Sequence, residues 1–348
     1  MGGSEKRNGI TIAGNIVTDV VKDIDVYPSV GMLSSISRIT RGVGGSVPNV
    51  GIDLTTIDPS FPVKGLGCVG DDEYGRYVLG ELKRHGVDTS GIRVLKDAAT
   101  SFSDVMSLPT GDRTFFHLRG ANALFGPEHV DVSKLDCRIL HAAYILLLDR
   151  FDAEDEEYGT VMARFLCSVR QRGIETSLDI VSDSAGRYAK TVAPALSYCD
   201  YFIVNENECC AVWQTEPRKS DGSMDLSALE SAMRRTLEAG VKQKVVVHAK
   251  ELSACLSRSG AFTVVPSLDV PDGFIKGSVG AGDAFCAGAL YSICHGAGDR
   301  EMLEFASAAA AASLGSENAV DGMRTREEIN ALMRAFPRKK LDFSPEGK

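Results

Sequence analysis

The segment Ile275 to Ile293, IKGSVGAGDAFCAGALYSI, holds the residues best suited to chemistry. Gly277, Gly280 and Gly282 precede Asp283, and an apolar run that reads as a buried helix follows. Inside a helix each glycine costs roughly 1 kcal/mol relative to alanine. At a helix entrance the same residues permit close backbone approach and leave the first amides free. The N–H groups of Gly280, Ala281 and Gly282 then point at the positive end of the helix, where an anion such as phosphate is favoured. Asp283 among those amides suits abstraction of a proton from a hydroxyl. A carboxylate base and an amide pocket are a sufficient kit for phosphoryl transfer, in which the protein mainly positions groups and stabilises charge. The plainer alternative is a helix capped by Asp283, with glycines fitted to a tight turn.

Other polar residues stand where strands end. Asn15 and Asp19 follow a buried strand, at the edge where ligands meet an α/β sheet. A carboxylate accepts from two adjacent hydroxyls, and an amide both donates and accepts. Asn49 lies in VPNVGIDLTTI, which reads as a short helix, and Asn205 with Glu208 follows the strand YFIV. Each of these also fits an ordinary loop residue or helix cap. Arg113 and Arg119 carry forks suited to carboxylate or phosphate, or to a surface ion pair.

These residues need a frame. Strand-like runs (GITIAGNIV, FPVKGLGCVG, RILHAAYILLLD, GIETSLDI, CDYFIV, VKQKVVVHA) alternate with helical segments such as DDEYGRYVLGELKRHG, closed by Gly86. That alternation predicts an α/β fold with a mostly parallel sheet flanked by helices, in one domain over residues 1–348. Two β-like zones, about 18–42 and 90–119, interrupt it and read as a small antiparallel lid. The stretch after Gly282 reads as helical, and the tail PRKKLDFSPEGK as disordered.

Composition narrows the function classes. The 348 residues are 44% hydrophobic and 24% charged, so a substantial core is available. A net charge of -9 argues against a nucleic-acid binder. The nine cysteines show no CxxC spacing, which favours buried thiols in a reducing compartment. The N-terminus lacks an apolar signal region and no run reaches the ~18 apolar residues of a membrane span, so a cytoplasmic protein without a membrane partner is expected. GLGCVG satisfies GxGxxG, but a lone match is weak, and neither GxxxxGK[ST] nor HExxH occurs.

The segment GSVGAGDAF resembles the C-terminal signature of the ribokinase-like carbohydrate kinases, the PfkB family. Further landmarks follow in that family's order over nearly the whole chain: GNIVTD, GGSVPN, GCVGDDEYG, GAN at Gly120 to Asn122, and NENE. The resemblance implies a ribokinase-like fold and ATP-dependent phosphorylation of a hydroxymethyl group on a sugar, sugar acid or nucleoside. Asp283 is then the base, and the amides of Gly280, Ala281 and Gly282 hold the γ-phosphate. Asn15, Asp19, Gly44, Gly45 and Asn49 orient the acceptor, with Arg119 and Asp149 as further contacts. Asn205, Glu208, His248, Lys250 and Asn318 serve the nucleotide, and Glu208 serves Mg²⁺ through water, since that ion keeps most of its waters. The resemblance also implies a homodimer through the lid.

Two departures stand out. His248, Lys250 and Ser253 occupy the places of the family's T-x-G-x-x-G, where Lys250 is either a phosphate contact or a surface lysine. Gly277 replaces an aspartate whose loop contacts potassium, removing one support for monovalent-cation activation. Two alternatives remain open: a sugar-binding sensor with weakened nucleotide binding, and a kinase for a hydroxymethyl-pyrimidine or pyridoxal-like ring.

Overall fold

The computed structural model describes residues 7–182, 186–271 and 273–341. In chain order the first elements are β1 (Ile10–Gly14), β2 (Val17–Ile24), β3 (Ile36–Gly44), α1 (Ser46–Ile57), β4 (Val63–Gly70), α2 (Glu73–Arg84), β5 (Asp88–Leu95), β6 (Phe102–Ser107), β7 (Arg113–Leu118), the short helix α3 (Gly120–Leu124) and β8 (Ile139–Ile145). A nine-stranded sheet runs in the order Phe262–Pro266, Leu252–Ser257, Lys244–His248, Tyr201–Asn205, Glu175–Ile180, β8, β1, β4, β5. The seven strands from Lys244–His248 to β5 are parallel, and the two at the other edge are antiparallel.

Strands buried on both faces explain the near-continuous apolar runs of the sequence. Period-two alternation sends Ile10 and Ile12 to one layer and Ala13 to the other, and likewise Tyr201 and Ile203 against Phe202 and Val204. One layer is closed by the helices Ala281–Cys294 and Asp299–Ser313 with α1, and the other by Val161–Gln171 and Leu226–Glu238. All nine cysteines are free, seven of them buried. No helix among the described residues is long and apolar enough to cross a membrane.

A second sheet, in the order β3-β2-β6-β7, forms the lid. Its two outer pairs are antiparallel, as expected, while β2 and β6 at its centre run parallel. The second lid insertion is shorter than the 90–119 anticipated. GIRVLKD contributes to β5, the parallel edge strand of the main sheet, so the lid resumes at Phe102. Alternation of apolar and polar residues marks an edge strand and a lid strand alike. VVVHAKELSACL forms a tight hairpin, turned where the Ala249 N–H bonds the Leu252 carbonyl at 2.8 Å. The start of the tail is ordered against expectation. Arg338 bridges Leu268 and donates to the Pro266 carbonyl at 2.7 Å, while residues 342–348 lie outside the described residues.

Candidate active site

The helix Ala281–Cys294 is capped by Gly280, which adopts φ 80°, in the left-handed region open to glycine. A Cβ there would also fall 2.6 Å from the Ala319 carbonyl oxygen, so this glycine is required twice over. Asp283 therefore does not cap the helix; it sits inside the first turn, only 8% exposed. Its Oδ1 accepts from the Tyr144 hydroxyl at 2.6 Å and its Oδ2 from Asn49 Nδ2 at 2.9 Å. Burial pushes the Asp283 carboxyl above its usual range, and these two donors pull it back. The first bond of the helix runs from Ala284 N–H to the Gly280 carbonyl at 2.8 Å, and Ala281 N–H reaches Ser278 at 3.3 Å.

Around this carboxylate the expected acceptor residues interlock. Asn49, on α1, is buried, and its Oδ1 has no hydrogen-bond donor. Asn15 is buried between β1 and β2; its Oδ1 accepts from Tyr144 N–H at 2.7 Å and its Nδ2 donates to the Leu147 carbonyl at 3.4 Å. Asp19 lies within β2 rather than in a loop, with its pKa raised to about 6 by burial against the opposing pull of the Ser103 hydroxyl and Arg113. A Cβ on Gly44 would stand 2.3 Å from Asp19 Oδ2, so any larger residue there would displace that carboxylate. Gly45, the cap of α1, packs against Asn15 in the same way. Arg119 and Asp149 are tied to each other in an ion pair, a third and a half or so exposed, so each already has a partner.

The expected nucleotide residues are held locally. Asn205 accepts from Glu208 N–H at 2.8 Å, and Glu208 returns a bond from Asn205 N–H at 3.0 Å, a reciprocal cap of the helix Glu206–Ala211. Glu208 also accepts from Ser182 Oγ at 2.9 Å, and burial lifts its pKa to about 7. His248 is half-buried, its ring 5.0 Å from that of Phe285 and alongside Gly282, and burial lowers its pKa to about 4, so it is neutral. Lys250 is exposed in the hairpin turn, and Asn318 is exposed with its amide on Asp321 at 2.7 Å. Ser253 is buried against Ser307 at 3.0 Å.

Three residues escaped the sequence reading. Tyr144 was absorbed in the apolar run of β8. Asp179, in the strand Glu175–Ile180, has its pKa pushed well up by burial, then by Glu208 and Asp283. Asp53, one turn beyond Asn49, is fully buried with neither oxygen hydrogen-bonded, and burial and Asp283 raise its pKa strongly. A polar residue within an apolar strand or helix face was the available signal. Asp179 and Glu208 carry the oxygen ligands that a hard divalent cation takes, and the charge of Glu208 raises the Asp179 pKa beyond what burial alone does.

Between the lid and the loops 276–279 and 315–321 lies a cavity of about 770 Å³. Asp19, Gly42, Arg113, Lys276 and Asn318 are among its lining residues; Asp283 and Asn49, both buried, are not.

Residues 14–326 match the family described as pfkB family carbohydrate kinase. Among similar curated proteins are a ribokinase of Schizosaccharomyces pombe, 22% identical with 92% of this chain and 96% of the relative covered, and an ATP-dependent ribose-1-phosphate kinase of Halopiger xanaduensis, 25% identical with 88% and 92% covered. The fold is similar to that of Arabidopsis thaliana ribokinase complexed with ribose and ATP, at a TM-score of 0.77 and 19% identity over 94% of this chain and 99% of that one.

Proposed function

The chain belongs to the pfkB family of carbohydrate kinases, which are phosphotransferases, and from that membership we propose that it transfers the γ-phosphoryl group of ATP to a hydroxymethyl group of a sugar, sugar acid or nucleoside. The observation that carries this reading is the Asn49–Asp283 pair. One amide holds the buried carboxylate through its Nδ2 while its own buried Oδ1 lacks a donor. A buried acceptor without a partner costs about 1–3 kcal/mol, which an incoming hydroxyl removes.

Asp283 takes the proton of that hydroxyl as its oxygen attacks phosphorus. Asp19 accepts from neighbouring hydroxyls, and Asn15 holds the end of β8, so that Tyr144 stays on the base. The amides of Gly280, Ala281 and Gly282 stabilise the charge on the transferring group, Ala281 by exchanging its long bond to Ser278. Asp179 and Glu208, the latter through water, would hold Mg²⁺, which neutralises the donor phosphates when bound. The lid excludes water from the acceptor. The need for ATP supports a cytoplasmic location. On the lid, Ile39, Phe116 and Leu118 are 61%, 51% and 42% exposed, an apolar face that supports pairing of two copies; light scattering of the wild type and of Ile39→Glu tests this.

The sensor reading requires ATP–Mg²⁺ not to bind, and calorimetry decides it. A flat-ring acceptor fits less well, because the acceptor side offers Asp19 and the Asn49 carbonyl to hydroxyls. ADP release from purified protein over pentoses, hexoses, sugar acids and nucleosides tests the kinase reading. Absence of any acceptor-dependent release would falsify it.

A further inference from the structure

The cavity beneath the lid carries four cationic side chains: Arg38, Arg41, Arg113 and Lys276. Two of them are occupied. Arg38 binds Asp23 at 2.6 Å and Glu317 at 3.4 Å, and Arg41 binds Glu73 at 2.7 Å. Among the described residues the half-buried Arg113 side chain has neither a hydrogen bond nor an ion pair, and neither does the ammonium of Lys276. Arg113 lies near enough to Asp19 for its charge to draw the Asp19 carboxyl downward. Among the described residues five carboxylates also line the cavity: Asp19, Asp23, Asp25, Glu317 and Asp321. Asp23 and Glu317 pair with Arg38 and Asp321 accepts from Asn318, and none of the five hydrogen-bonds to the Arg113 guanidinium.

Resting on the phosphotransfer reading above, we propose that the acceptor is anionic: a sugar bearing a phosphate or carboxylate group that Arg113 binds from the lid, beside the hydroxyls held by Asp19. A half-buried guanidinium whose N–H groups make no hydrogen bond is the group that a two-oxygen anion fits, since its fork delivers paired N–H donors that an ammonium cannot. Lys276, on the opposite wall, adds a second positive charge where the cavity opens. Arg113 thereby selects charge while Asp19 and Asn49 select hydroxyls.

Binding is measured by calorimetry on Asp283→Asn protein, so that it is read without turnover. The probes are ribose, ribose 1-phosphate and gluconate, which separate the neutral, phosphate and carboxylate cases. At least one anionic probe is expected to bind 10-fold or more tighter than ribose. Arg113→Ala should collapse that preference toward parity, and Arg113→Lys should restore part of it. The preference should also shrink as salt rises. Ribose binding as tightly as both anions, or a preference that survives Arg113→Ala, overturns the proposal. Anion preference in binding without phosphorylation by the wild-type protein overturns the phosphotransfer reading instead.

Discussion

The two halves of the site are built differently. On the acceptor side, Asn49, Asp283, Tyr144 and Asn15 come from α1, the helix Ala281–Cys294, β8 and the end of β1, and bond directly to one another. On the donor side, Asn205, Glu208 and Asn318 bond mainly to residues within three positions of themselves, and Lys250 projects from a turn. The first half is a preorganised network in which each side chain fixes the next. The second consists of separate local caps, to which the proposed function assigns the nucleotide and cation. Preorganised donors lower a barrier without rearranging during the reaction. The contrast therefore teaches that substitutions in the acceptor half should act on turnover and those in the donor half on affinity.

Asp283→Asn is expected to have the largest effect, a loss of about 10²- to 10⁴-fold in kcat with the fold retained by circular dichroism. Wild-type turnover from that variant would remove the base from the acceptor half altogether. Tyr144→Phe deletes a hydrogen bond to a charged partner, about 1.5–3 kcal/mol, so kcat should fall about 10- to 100-fold. It also has a sign. The Tyr144 hydroxyl holds the Asp283 pKa down, so its loss should move the acid limb of the kcat profile to higher pH. An unmoved limb would mean that Tyr144 is mere packing.

In kcat/KM for the acceptor, activity should drop as pH falls through about 6, where Asp19 gains a proton; Asp19→Asn should abolish that limb. For the donor half, Lys250→Ala should change the KM for ATP by less than about 3-fold and leave kcat alone, as expected for an exposed charge. A large kcat effect there would erase the contrast. A further effect concerns stability. The pKa of Asp53 is raised on folding, so its contribution is complete below the unfolded value near 4 and declines as pH rises. Urea denaturation should show Asp53→Asn gaining on the wild type between pH 5 and pH 8, by about 1 kcal/mol or more.

Much of this was legible in the chain. GAGD announced a helix entrance, and GGSVPN announced the glycines that make room for Asp19 and Asn15, because such backbone demands leave a local imprint. Tyr144 left none, since its role depends on a partner 139 positions away. Asp179 and Asp53 hid in apolar runs, where burial rather than spacing gives them meaning. β5 was misassigned to the lid because a half-exposed edge strand carries the same alternation wherever it pairs. The parallel β2–β6 contact was likewise invisible, since strand direction is set by pairing.

Asn49 and Asp283 stand 234 positions apart. As the polypeptide leaves the ribosome, the first half can settle strands and α1 while the carboxylate that completes them is still unsynthesised. On the proposed reading, a nascent chain not yet extended to residue 283 holds contacts for hydroxyls and lacks the base that would activate them.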